Sequence, residues 1–386
     1  MRIKRAGRGV NIMQAIVSIF RSILVCAVFV LSLHSSLFAA AASQSLMGAK
    51  RDAEANGYIF VATHDEIVNR AKQEGQLRVV VSMSEGILKR LADEFRKKFP
   101  FIKTSAEEIK GTEVYTRVLQ EIKAGLNKGQ DVNDLTYDYY NEFLPHQKKL
   151  DIVGMAQHQV LNIPVQMIDP NNRNIVAIGS GIQVVAYNKK LIAENKVPST
   201  WDGFLKPEFA DRKFVLDIRP KDISALVPAW GIEKTLDFAR KLAAQKPIWA
   251  RGNTRVVATM LAGETALHIG PSFDVVLRAK TKDLTDVLGY KLIEPVPVRL
   301  NDTYSVLKTA EHPYAALLWL EFLASADGQK LLDQAGPYEG SVFVRGTVQE
   351  EAARGKRKSV IDWDHYIKVQ EYERKIVEAY GFPKAD

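Results

Sequence analysis

The chain has 386 residues, with 53 lysines and arginines against 45 aspartates and glutamates, a formal charge of +8, and one cysteine. Five basic residues (Arg2, Lys4, Arg5, Arg8, Arg21) and no acidic one fall in the first 42 positions, so the remainder carries 48 against 45, or +3. Such a balance gives no basic face, and no nucleic-acid partner is expected. Cys26 also lies in those 42 positions, which leaves the rest of the chain without a disulfide or thiolate metal site and dependent on an ordinary core.

Taken in chain order, the first element is a segment of basic residues, then an apolar run from Ile23 to Leu33, then small residues from Ala39 to Ala42. That order is the pattern of a cleaved secretory signal, which places the mature protein in the periplasm. An uncleaved membrane anchor is the alternative, opposed by Ser32, His34, Ser35 and Ser36 within the stretch. The residue before Cys26 is Val25, too large for lipoprotein processing. About 340 residues remain after cleavage at Ala42, enough for two cores.

Residues 43–74 read as a lead-in, ending in a helical pattern through Ile67, Val68 and Ala71 before Gly75. Gln76–Ser82 is a β-branched run that predicts a strand, and Ile87, Leu88, Leu91, Phe95 and Phe99 recur at helical spacing up to Pro100. Thr112 is a predicted N-cap for a helix through Val114, Val118, Leu119 and Ile122. Residues 131–140, DVNDLTYDYY, predict a strand and its exit loop. Further strand–helix alternations follow at 175–194, 213–243 and 254–281, and the whole reads as an α/β protein with largely parallel sheets.

Two stretches read as crossovers between lobes. Gly179, Ser180 and Gly181 interrupt an extended apolar run, where glycines mark a bend or a close backbone approach. Residues 292–298 are extended but contain Pro295 and Pro297, a poor fit to a central strand. The expected organisation is therefore residues 75–180 in a first lobe, 181–298 in an inserted second lobe, and 299–386 returning to the first lobe with the C-terminal helices.

Three stretches carry a resemblance: VPSTWDGFLKPEFADRK at 197–213, GNTRVVATMLAGETALH at 252–268 and HPYAALLWLEFLASADGQKLL at 312–332. Locally, Ser199 or Thr200 can cap a short helix that Pro207 ends, Pro313 suits a first helical turn, and Ala316, Leu320 and Leu323 form an apolar face. In order and spacing, they resemble the type II periplasmic solute-binding proteins of ABC importers, in particular the branch related to ferric-ion binding proteins. The resemblance runs from about Gln76 to at least Gly340. It implies an α/β fold of two lobes, each a mostly parallel sheet flanked by helices, joined by two hinge crossovers around a ligand cleft.

No catalytic constellation is present in the sequence. His64, His146, His158, His268, His312 and His365 are scattered without metal-ligand spacing, so neither a metal nor a cofactor is expected, and no enzyme activity. An enzymatic relative of the fold uses a cysteine nucleophile, which the mature chain lacks.

Candidate ligand contacts lie where strands run out toward a cleft. Ser82, Met83, Ser84 and Glu85 join the first strand to its helix, where Ser84 either meets an anion with the free N–H groups or only caps the helix. Tyr137, Tyr139 and Tyr140 follow another strand; phenols stack on ligands, donate hydrogen bonds or bind iron, and equally pack at strand ends. Arg219 follows the strand KFVLDI and is a candidate carboxylate or phosphate clamp, unless it pairs with Asp217 or Asp222. Ser180 lies at the first crossover, and Ser272 and Phe273 stand where the ferric branch carries adjacent tyrosines, so iron is not inherited from the resemblance. The expectation is a monomeric subunit that captures a small organic anion and passes it to an inner-membrane ABC permease. The alternatives are ferric iron with an accompanying anion, or a sensor that signals through a receptor.

Overall fold

The computed structural model describes residues 42–110, 114–334, 338 and 340–382. The signal segment and the Thr112 cap lie outside them. The described residues up to Gly57, of which 42–55 are helical, form one compact unit, and those from Tyr58 on form another.

In the larger unit the helical pattern expected at the end of the lead-in is present. Helix His64–Glu74 begins at Thr63, whose hydroxyl accepts from the Glu66 N–H, and ends at Gly75 in the left-handed conformation (φ 66°). Its last residue, Glu74, accepts the free N–H groups of Tyr314 (3.1 Å) and Ala315 (2.8 Å) at the start of helix Pro313–Ala324. A carboxylate at that position complements the helix dipole, so the segment is built into the first lobe's core.

Ten strands among the described residues form one sheet: β1 Gln76–Val81, β2 Lys103–Glu108, β3 Val132–Leu135, β4 Ile175–Asn188, β5 Val215–Asp217, β6 Ile248–Ala250, β7 Leu267–Ser272, β8 Leu288–Lys291, β9 Val296–Val306 and β10 Lys358–Ile361. The order is β2-β1-β3-β9-β4-β7-β5-β6, with β10 on β9 and β8 on β4. Parallel pairing is confined to β1 with β2 and β3, β5 with β6 and β7, and β9 with β10; β4 and β9 pair antiparallel with all their other neighbours. The sheet is thus mixed where a largely parallel one was expected. Short runs flanked by helices make the parallel pairs, whereas the two long strands that return through the centre must run against them.

Strand β4 is buried at all 14 positions, which is why its sequence shows an apolar run rather than alternation. It changes partners midway. Ile175–Ile182 pair with β9 from Ser305 to Val298, and Gln183–Asn188 pair with β7 and β8, with a register irregularity between Gln183 and Val185. Gly181 sits at this switch, where a Cβ would come within 2.8 Å of the Asn301 side chain. The predicted close approach is real.

The reading of 292–298 needs correction. Val296–Val306 is a central strand, and its Pro297 is accommodated because β4 pairing stops at Val298; beyond that point only β10 flanks the chain. The second crossover therefore falls at Val298–Asn301, opposite Gly179–Ile182.

Each part of the sheet has its own apolar cluster. Phe95 meets Trp319 and Phe322 edge-on in the first. Trp201, Phe204, Phe214 and Phe238 anchor the second, with the Trp201 Nε1–H donating to the Pro295 carbonyl at 3.2 Å. The WDGFL stretch forms a 3₁₀ turn, Trp201–Leu205, after Thr200, whose side chain makes no cap. Helix Pro313–Ala324 buries Ala315, Leu317, Leu318 and Trp319 as well as the predicted Ala316, Leu320 and Leu323, so it is enclosed on nearly every face.

Candidate functional site

Strand β3 stops at Leu135, paired with Thr303 of β9, and the next β9 residues run on past its end. Beyond Leu135 the chain turns through Thr136, whose hydroxyl accepts from the Asp138 N–H, into a 3₁₀ turn at Tyr137–Tyr139. The gap left between these segments is a cavity of about 270 Å³, lined by Tyr115, Asp134, Leu135, Thr136, Tyr137, Leu300, Asn301, Asp302, Thr303 and Tyr366. It lies beside the β4–β9 switch and at the carboxyl end of β3, where ligands in open α/β sheets bind.

Two carboxylates shape it. Asp134, buried within β3, accepts from the Ser82 N–H (2.9 Å) and the Ser82 hydroxyl, and from the Tyr115 hydroxyl at 3.4 Å. Burial pushes its pKa up, and the Ser82 donors oppose the push. Asp302 stands in the left-handed conformation (φ 50°), which aspartate tolerates better than most residues. Its carboxylate has no hydrogen bond or ion pair among the described residues. Burial, then the charges of Asp134 and Asp274, push it up to about 6.

The aromatic walls are neutral phenols. Burial, with the Asp134 charge, holds Tyr115 well above the usual tyrosine value, and burial pushes Tyr137 up to about 12. Tyr115 stacks on Tyr139, whose hydroxyl accepts from Thr116 at 2.9 Å. Arg299 lies 5.1 Å from the centre of the Tyr137 ring, but its Nη1 is engaged by Glu373 (3.0 Å), the Ser224 hydroxyl (3.1 Å) and the Lys221 carbonyl (3.2 Å).

The sequence-predicted residues divide into three groups. Ser82, Tyr137 and Tyr139 are at the cavity or one residue removed from it. Ser84 and Glu85 are exposed at the start of helix Glu85–Lys98: Ser84 makes no side-chain cap, the Glu108 carboxylate accepts the Glu85 N–H at 2.9 Å, and Glu85 is turned toward Lys110 at 3.4 Å. Met83 is buried beside them. Arg219 is 43% exposed at the end of β5 and grips Asp217 through Nε (3.3 Å) and Nη2 (3.2 Å), the pairing that competes with a clamp role. Ser272 is half-buried at the start of helix Phe273–Lys280.

Three candidates have side chains engaged within the protein. The Ser180 hydroxyl is buried between the Gln349 side chain (3.2 Å) and the Val342 N–H (2.9 Å), behind the crossover. Tyr140 is buried, with its hydroxyl held by Asp169 and Asn172. Phe273 is a core residue, edge-on to Tyr290 at 5.0 Å. Each presents an apolar or already bonded side chain in this structure.

Sequence reading missed Tyr115, Asp134, Asn301, Asp302, Thr303 and Tyr366. Three of them carried a signal: Asp134, beside Asn133 between the two apolar residues of β3, and the Asn301–Asp302 pair in the middle of an extended segment, residue types that favour left-handed backbone. Among the described residues no group of three His, Cys, Asp or Glu side chains converges as metal ligands, and no helix is long and apolar enough to cross a membrane.

Solved structures share this fold at low identity. Ferric ion-binding protein A from Pasteurella haemolytica is 17% identical with a TM-score of 0.60, over 81% of this chain and 100% of its own. FutA (IdiA) from Trichodesmium, solved with iron and citrate, is 18% identical at TM-score 0.60, over 80% and 100%. The substrate-binding protein of an ABC transporter from Agrobacterium tumefaciens is 16% identical at TM-score 0.54, over 81% and 96%. No curated protein sequence matches the chain. The fold is that of the two-lobed type II periplasmic binding proteins, and the family model for bacterial extracellular solute-binding proteins matches residues 130–369, more than half of the sequence. The chain belongs to the bacterial extracellular solute-binding protein family.

Proposed function

We propose that this protein is the periplasmic solute-binding subunit of an ABC importer, closing two lobes over a small molecule and presenting it to an inner-membrane permease. The observation that carries the reading is the partner switch of β4 beside the cavity: two long strands cross from one part of the sheet to the other, and a recess lined by polar side chains opens at the crossing. Rotation about Gly179–Ile182 and Val298–Asn301 brings residues of the second part, Ser272 and Arg219 among them, toward that recess. Lobe 1 is then Gly75–Ser180 with the return from Arg299, and lobe 2 the segment between.

The charge of the solute has two readings. An organic anion is favoured by the exposed Arg219 guanidinium at the end of β5, although Asp217 already holds it. Iron is favoured by the ferric ion-binding protein among the similar structures and by the hard oxygen donors Asp134, Asp302, Tyr115 and Tyr137, but Ser272 and Phe273 supply no phenolate.

The test is native mass spectrometry of protein recovered from the periplasm, followed by solution scattering before and after the co-purified solute is removed. A bound small molecule whose removal increases the radius of gyration is the expected result. A chain that carries no solute and shows one radius under all conditions overturns the reading.

A further inference from the structure

Two carboxylates near the recess are matched: Asp134 has the two Ser82 donors, and Asp274, whose charge reaches Asp302, has Arg278 at 2.6 Å. Asp302 has no such partner among the described residues, is half-buried, and lines the cavity. No lysine, arginine or histidine lines that cavity, and the nearby Arg299 is occupied by Glu373, Ser224 and Lys221. A recessed carboxylate without a counter-charge is unfavourable unless something supplies one. Two of the remaining walls suit the same visitor: aromatic rings such as those of Tyr115 and Tyr137 attract cations, as Arg299 over the Tyr137 ring already shows.

From this juxtaposition we propose that the solute carries a positively charged nitrogen, an ammonium or guanidinium group, received by Asp302 and framed by Asp134, Tyr115 and Tyr137. The proposal rests on the solute-binding reading above and deepens it. An organic anion in the same recess would face two carboxylates and no cation. A bare metal ion would need donors converging on one point, whereas the volume, about 270 Å³, is near the lower end of small-molecule pockets.

Titration calorimetry of the full mature protein at pH 7.5 tests it with probes of matched length: 1,4-diaminobutane and 4-guanidinobutylamine as cations, 1,4-butanediol as the neutral form, succinate as the anion, and ferric citrate. At least one cationic probe is expected to bind, and the diol and succinate are not. Asp302→Asn should weaken the cation by about 30-fold or more, the scale for removing one partner of a desolvated charge pair. Asparagine keeps the left-handed backbone, and an unchanged or raised melting temperature separates lost binding from lost folding. Tyr137→Leu, which removes the ring but not the charge, should weaken it less. Failure of both cations at millimolar concentration overturns the proposal. So does succinate binding that Asp302→Asn leaves intact and Arg219→Ala abolishes, or ferric citrate binding with tyrosinate colour. If the co-purified solute still compacts the chain in those cases, the solute-binding reading stands and only the charge assignment falls.

Discussion

His268 shows how one buried side chain ties stability to pH. It lies in β7 with Nδ1 donating to the Val215 carbonyl at 3.2 Å and Nε2 3.3 Å from the Asn253 side chain, and burial lowers its pKa to about 4. The unfolded chain titrates near the ordinary value of about 6.5, so the folded state binds the proton later. A depressed pKa means that the stability is present above about pH 6.5 and is lost as the pH falls toward 4, by up to about 3 kcal/mol. His268→Gln should flatten that stretch of the stability curve, measured by urea unfolding between pH 7 and 4. An unchanged slope would show that other groups set the acid limb. The family-like stretch ending at His268 is thus structural, consistent with the reading that an isolated histidine fills a core.

At the scale of elements, the crossover in β4 pairs with β9 on one edge and is held on the other by side chains and a single bridge from Gly179 to Gly340. Gln349 donates to the Ser180 carbonyl (2.7 Å) and the Tyr338 carbonyl (2.8 Å), and accepts from the Ser180 hydroxyl (3.2 Å) and the Ile182 N–H (3.1 Å). Gln329 adds a bond to the Ile178 carbonyl at 2.9 Å and accepts from the Ser341 N–H. These amides complete the ladder where β4 would otherwise leave buried backbone groups unpaired. Gln349→Ala strips several of them at once and should destabilise the chain by about 2–4 kcal/mol, read as a lower urea midpoint. A change under about 0.5 kcal/mol would mean that water enters and replaces the amide. The GQ in the third resemblance stretch has its physical meaning here: Gln329 serves β4, and a Cβ on Gly328 would meet the Phe322 carbonyl at 2.1 Å.

For the whole molecule, the first 41 residues lie outside the described structure, and their order of charge, apolar run and small residues stands as an expectation about processing. Cleavage near Ala42 should leave a mature chain of +3, and N-terminal sequencing of periplasmic protein checks it. A membrane-bound product that retains Arg21 would reverse the compartment. The same removal makes the cleft's own charge the relevant quantity for capture, since the basic excess of the precursor never reaches the solute.

The fold was largely legible in the chain because its signals are local. Strand and helix periods located β1, β3, β4 and β7 and the helices after β1 and β7, whereas the stretch after β4 forms turns up to a 3₁₀ turn at Glu194–Lys196, and three spaced stretches gave the family. Strand β2, Lys103–Glu108, escaped because an edge strand of charged and small residues has no apolar alternation. The site was legible only in part. Serine, tyrosine and arginine at strand ends are visible as types, but whether a hydroxyl faces a cavity or a glutamine is a matter of residues 100 or more positions away: Ser180 meets Gln349, Tyr137 faces Tyr366, and Asp134 shares its recess with Asp302. Local sequence thus determined the elements and the family, because periodicity and capping act within a turn or a strand. Only the tertiary structure decided which polar groups remain without a partner for a ligand, because that depends on contacts between segments far apart in the chain.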